Sequence, residues 1–389
     1  MGSLFRSLFA AEEELTPTQK LMYASEKLNN FRLISRLCAT RSSYTLTAND
    51  LAPADLYVVL ADLGEFAQIA SNIPETQYVF DNKDMLLQRN YPFEGLEALR
   101  DAELLSAFKG TVAAAPVITV YRPGTKQLVV GFGSTTNIMQ TLYDIYPVRR
   151  RLPYGNGCVH SGFYAMYNGC RDQVIDAVRQ AFDGHDVQEL AIVGHSMGGA
   201  LSYLFAVDVL AGQCPLPAGT PVTVATYGCP RLGDAALSQF WRQLVAQYQA
   251  ANGEASVKDF SVKGLNDGEC TAQHPVASIR TDKCNRRAIL PPVSWGYRHI
   301  ACTPLYFYHG RLFHIPAAEA EHGVFTVEKD ALDQTRIPDH PRGGHNYYNG
   351  RDTEKVVRRA YWLDRMMSEQ SSGWQEKYLA KIAELEQVK

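Results

Sequence analysis

The sequence predicts an α/β fold: a mostly parallel central sheet with helices on both faces, preceded by an N-terminal helical extension. Three observations predict it. From about residue 111 onward, short apolar runs alternate with stretches of helical period. In "APVITVYRPGTKQLVVGF", two β-rich runs flank Pro123-Gly124, which is a hairpin signature. The stretch "LAIVGHSMGGALSYLFAV", Leu190 to Val207, passes from an apolar strand through a glycine-flanked serine directly into a helix.

The elements follow in order. Residues 11 to 110 are rich in Ala, Leu and Glu and read as helices. In "ANDLAPADLYVVLADLGEFAQIA", Asn49 or Asp50 can cap a helix, and Leu56, Leu60 and Leu63 recur at helical spacing. After the hairpin, "GFYAMYNGCRDQVIDAVRQAF" reads as helix with Val174, Val178 and Phe182 on one face. "ELAIV", "PVTVATYG" and "VKDFSVKG" read as buried strands, and "ALSYLFAVDVL" as the helix after the first. Residues 268–288, "GECTAQHPVASIRTDKCNRRA", are polar and irregular and form an insertion. From Thr353 the chain is charged and helical, ending in "WQEKYLAKIAELEQVK" with Glu and Lys on an outer face. The expected organisation is a helical region 1–110 packed on or capping a main domain 111–365, then a helical tail 366–389.

With 389 residues, 46% of them hydrophobic, the chain can bury a large core. A formal net charge of -3 gives no electrostatic reason to expect a nucleic-acid partner. The longest apolar runs fall short of a transmembrane segment. The start, "MGSLFRSLFAAEEELTP", is a poor secretory signal, and Arg6 stands where myristoylation needs a hydroxyl residue. Cytoplasm is the expected compartment, or the exterior if a leader has been removed. Eight irregularly spaced cysteines make no metal pattern. Cys270 and Cys284 bracket the insertion, and a disulfide and two free thiols both remain open.

The pattern Gly194-x-Ser196-x-Gly198, between strand and helix, fits a nucleophile elbow. A serine at a strained turn needs tiny neighbours on either side. Its hydroxyl then stands above the strand ends, and the following helix aims its N-terminus at the same point. The Met197 N–H becomes one donor to a developing oxyanion. The bland alternative is a glycine-rich turn that only tightens strand–helix packing.

At this point the chain resembles the class 3 lipases, the fungal triacylglycerol lipase family with an α/β-hydrolase fold. The stretches that carry the resemblance, in the family's order, are "LVVGFGSTTNIMQTLYDI", "VHSGF", "VGHSMGGALS", "TYGCPRLGD" and "LPPVSWGYRH". They cover roughly residues 110 to 350. The resemblance implies a Ser-Asp-His triad in that chain order, with no metal or cofactor. Ser196 is then the nucleophile. His345, in "DHPRGGHNYYNG", matches the family's histidine followed three residues later by tyrosine; His340 is the alternative. For the acid, Asp267 follows the strand "VKDFSVKG" and sits in an Asn-Asp-Gly turn. Asp282, inside the insertion, is the alternative acid. The family's register puts Thr135 at the second oxyanion donor, with Ser134 the alternative, although Gly133-Ser134 stands where the family has arginine then glycine.

Residues 136–157 match the family's lid region. Ile138, Leu142 and Ile145 share one helical face, suited either to a lipid interface or to ordinary core packing. Arg149-Arg150-Arg151 reads as a solvated charge run or as a contact for anionic headgroups. The function expected is carboxylic-ester hydrolysis on an acylglycerol or other lipid ester substrate, with triacylglycerol lipase leading. Phospholipase A1, a small-ester esterase and a non-catalytic lipase-like binding protein remain as alternatives.

Overall fold

The computed structural model describes residues 15–24, 32, 35, 39–71, 75–134, 148–267, 292–332, 342–348, 351–368 and 372–387. Its centre is an eight-stranded sheet. The strands are β1 (Glu103–Lys109), β2 (Pro116–Arg122), β3 (Gln127–Phe132), β4 (Glu189–His195), β5 (Val222–Tyr227), β6 (Val257–Gly264), β7 (Thr303–Tyr308) and β8 (Arg311–His314). They lie side by side in chain order. β3 to β7 run parallel, whereas β1, β2 and β8 pair antiparallel. The β2–β3 pair is the hairpin expected around Pro123-Gly124.

Helices cover both faces. Alternation along each strand separates two cores. Leu190 and Ile192 of β4 face one side, with Leu128, Val130, Val222 and Val224. That side is covered by α2 (Ser161–Asn168), α3 (Arg171–Gly184), α4 (Met197–Leu210) and α5 (Ala235–Asn252). Ala191 and Val193 face the other side, with Val129, Ala225 and Val262. There the cover is α1 (Ala54–Ala70), α6 (Thr353–Ser368) and α7 (Trp374–Gln387). α4 is buried along its whole length except Leu210, so its apolar character is all-round rather than one-sided. Among the described residues no helix is long and apolar enough to cross a membrane.

Three readings of the sequence need correction. The stretch 11–110 is not helical throughout. β1 is the edge strand of the main sheet although "ELLSAFK" is made largely of helix formers, because pairing with β2 overrides propensity. Arg41–Leu46 is likewise a strand, pairing parallel with Val324–Val327, far along the chain. The α1 helix starts after Pro53, not at Asn49 or Asp50; Asp50 instead closes a capping box with Thr47 on the preceding short turn. The stretch "GFYAMYNGCRDQVIDAVRQAF", read as one helix, falls in two, broken at Gly169, where a Cβ would stand 2.8 Å from the Val112 nitrogen. At the C-terminus, Tyr378 and Ile382 of α7 are buried, one turn apart.

Candidate active site

Ser196 stands at the end of β4, one residue before α4, with φ 57 and ψ -129. This is a left-handed φ on a non-glycine residue, which costs about 1–3 kcal/mol and persists only where packing dictates it. The packing is visible. A Cβ on Gly194 would overlap the Gly198 carbonyl, and one on Gly198 would overlap the Phe132 carbonyl. The Ser196 N–H donates to the Tyr227 carbonyl at 2.8 Å, and the Gly199 N–H to the Ser196 carbonyl at 2.9 Å. The turn is therefore pinned to β5 on one side and opens α4 on the other. Met197, the first residue of α4, is fully buried beneath it.

Asp267 lies three residues past β6, at the same edge of the sheet. Its Oδ2 is 3.1 Å from His345 Nδ1, and both side chains are buried. Two segments are laced together to make this pair. The Gly344 N–H donates to the Leu265 carbonyl at 2.6 Å, and Asn266 Nδ2 to the Arg342 carbonyl at 2.6 Å. Gly343 takes φ 57 against the Leu265 carbonyl, where a side chain would collide. Tyr348 OH donates to the same Asp267 Oδ2 and accepts from the Gly264 N–H at 3.2 Å. With Nδ1–H committed to the carboxylate, the tautomer leaves Nε2 of His345 as the basic nitrogen. Gly228, next after β5, has φ 59. A Cβ there would stand 2.9 Å from both Asp267 Oδ2 and His345 Nδ1, so this glycine backs directly onto the pair.

His195 precedes Ser196, so the Ser-Asp-His chain order rules it out as the base, yet it lies against the Asp267–His345 pair. Its Nε2 donates to the His345 carbonyl at 2.8 Å, and the two rings lie 4.5 Å apart, tilted 33°. Burial, and then the neighbouring His345, hold His195 down at about 3, so it is a neutral donor. His160, which likewise precedes Ser196 in the chain, is held near 4 by burial alone.

Of the two oxyanion positions, Ser134 is described. Its N–H donates to Ser71 Oγ at 3.0 Å and its Oγ to the His195 carbonyl at 2.9 Å. Ser134 thus ties the end of β3 to α1 and to β4, with its N–H already spent. Thr135, His340, Asp282, Cys270 and Cys284 lie outside the described residues, as do residues 136–147 of the expected lid and the 268–288 insertion. The described end of the lid stretch is a hairpin: Arg149–Arg151 pairs antiparallel with Cys158–His160.

Of the residues singled out in the sequence, the structure brings Asp267 and His345 into contact and sets Ser196 at the same C-terminal edge of the parallel sheet. Sequence reasoning missed three supports: His195 beneath His345, the Tyr348 hydroxyl on Asp267, and Gly228 behind both. The tyrosine three residues after His345 and the glycine in "TYGCP" were the available signals.

Residues 124–257 match the family model described as lipase (class 3). Phospholipase A1-II 7 of Oryza sativa subsp. indica is 30% identical over 160 residues, covering 33% of this chain and 39% of its own length. Secreted mono- and diacylglycerol lipase 1 of Fusarium solani is 24% identical, covering 48% of this chain and 45% of its own length. The chain therefore spans less than half the length of these curated relatives. Among solved structures, the triacylglyceride lipase of Rhizomucor miehei superposes with a TM-score of 0.52 at 16% identity, covering 79% of this chain and 98% of that one. The fold is that of the α/β-hydrolase lipases.

Proposed function

We propose, from the premise that residues 124–257 carry a class 3 lipase core, that the protein is a serine carboxylic-ester hydrolase acting on acylglycerols. The observation that carries this reading is the buried Asp267–His345 pair at the sheet edge where the strained Ser196 turn also emerges. His345 Nε2 takes the Ser196 proton as Oγ attacks the ester carbonyl. Asp267 holds the tautomer and stabilises the imidazolium. The helix N-terminus at Met197 supports the oxyanion, and Thr135 supplies the second N–H, since that of Ser134 is bonded to Ser71. His345 then returns the proton to the leaving alkoxide. Water hydrolyses the acyl-enzyme by the same route in reverse.

Hydrolysis of p-nitrophenyl esters of increasing acyl length, with and without emulsion, tests the reading. A lipase hydrolyses the long esters, and its rate jumps where the substrate passes its solubility limit. A smooth saturation curve through that limit points to a plain esterase, and no turnover of any ester points to a non-catalytic lipase-like protein. The rice relative's name favours one second reading, phospholipase A1 activity, which release of the sn-1 chain from phosphatidylcholine would reveal. Of the two compartments expected, the cytoplasm finds no support among the relatives. The secreted Fusarium relative argues for the exterior, and cell fractionation decides between them.

A further inference from the structure

Arg149, Arg150 and Arg151 form one strand of a two-stranded hairpin, and all three are exposed. The hairpin stands at the rim where Ser196 emerges. The His160 N–H donates to the Leu232 carbonyl at 2.9 Å, and Leu232 lies five residues past the end of β5, the neighbour of β4. Val159 and Arg298 both bridge to Gly233 at the same place. Strand alternation puts Arg149 and Arg151 on one face, roughly 7 Å apart. Arg150 faces the other way, its guanidinium 5.1 Å from the Tyr164 ring centre.

None of the three arginines makes an ion pair with a described carboxylate. Asp234, beside Cys158, spends its Oδ1 on the Leu237 and Cys158 N–H groups at 2.9 and 3.1 Å. Two like charges held on one face repel each other, and an external row of anions relieves that repulsion. Apolar groups flank them. Val148 is 59% exposed and Trp295 37% exposed. Arg149 reaches Trp295's neighbour Gly296, its Nη1 3.1 Å from where a Cβ would stand. Arginine beside exposed tryptophan suits a lipid headgroup layer, where the cation meets phosphate and the indole lies at the acyl boundary.

We propose that this rim hairpin docks the protein on an anionic phospholipid surface, with Arg149 and Arg151 on headgroup phosphates and Val148 and Trp295 at the acyl boundary. The proposal rests on the ester-hydrolase reading for its purpose: docking there turns the Ser196 edge toward the membrane that holds the ester. The protein's overall charge of -3 disfavours such a surface, so attachment depends on this patch.

Co-sedimentation of the full chain carrying Ser196→Ala tests it, using vesicles of phosphatidylcholine alone and of phosphatidylcholine mixed with phosphatidylglycerol. The mixed vesicles should bind at least about tenfold more strongly, and salt should weaken that binding. Arg149→Gln with Arg151→Gln should lower binding to mixed vesicles by about 20-fold. The circular-dichroism melt should stay unchanged, and Trp295→Ala should weaken binding to both vesicle types. Equal affinity for the two vesicle types would overturn the proposal. So would a folded protein that binds neither, one retained on heparin but on no vesicle, or a double variant that binds like its parent. Ester hydrolysis is measured separately on the unsubstituted chain, so loss of that reading and loss of this one are distinguishable.

Discussion

His195 Nε2 is hydrogen-bonded to the carbonyl oxygen of His345 at 2.8 Å, and the two imidazoles lie face to tilted face at 4.5 Å. The residue before the elbow serine thus holds the loop that carries the expected base, across 150 positions of chain. His195→Phe keeps the ring and removes the donor. Losing one hydrogen bond of about 1 kcal/mol should lower kcat roughly five- to tenfold with KM nearly unchanged, and His195→Gln should recover part of the loss. Equal kcat in the Phe variant would make His195 a filler.

Asp267 has two donors on one oxygen, His345 Nδ1 and Tyr348 OH. Asp267→Asn should reverse the tautomer and cost about 10³–10⁴-fold in kcat without unfolding the protein. Tyr348→Phe, which leaves the carboxylate with one donor fewer, should cost far less. Asp282→Asn should change little. Full steady-state kinetics on the three variants decide the matter: a crippled Asp282 variant beside an active Asp267 variant reverses the assignment.

Gly194 and Gly198 leave no space for a methyl group, since each opposes backbone rather than a movable side chain. Gly198→Ala should push β3 and α4 apart, destabilising the fold by about 1–3 kcal/mol or more and displacing Ser196. Thermal melts and ester hydrolysis should fall together. A normal melt with normal turnover would mean the elbow tolerates a wider turn.

Burial holds His160 near 4, well below the ordinary 6.5, among the rings of Phe163 and Tyr297 at 4.6 and 5.8 Å. The folded state binds this proton later than the unfolded state does. The stability tied to the neutral ring is therefore complete above about pH 6.5 and is lost as pH falls toward 4, by about 3 kcal/mol. His160→Phe keeps the ring contacts and should flatten the decline of Tm between those two values. An unchanged slope would place the acid sensitivity in another group, such as the more deeply depressed His195.

The serine elbow was legible because its signal is local: a change of period at Gly194 and tiny residues on both sides of Ser196. Asp267 was singled out because a strand delivers it and His345 because a tyrosine follows it three residues later, and their contact is what the structure adds. What escaped was long-range. The β1 strand is written in helix-forming residues and owes its state to β2. The Tyr348–Asp267 bond spans 81 positions, and no periodicity announces it. Chain order disqualifies His195 as a base but says nothing of a donor beneath the base.

Ser196 as the nucleophile is the central claim, and labelling by a serine-directed fluorophosphonate followed by peptide mass spectrometry tests it most directly. The reagent should form one stoichiometric adduct, on Ser196, with loss of ester hydrolysis in step with labelling. Ser196→Ala and His345→Ala should both abolish the adduct while keeping the native melt. An adduct on another serine, or a folded Ser196→Ala variant that still hydrolyses esters at the parent rate, would contradict the account.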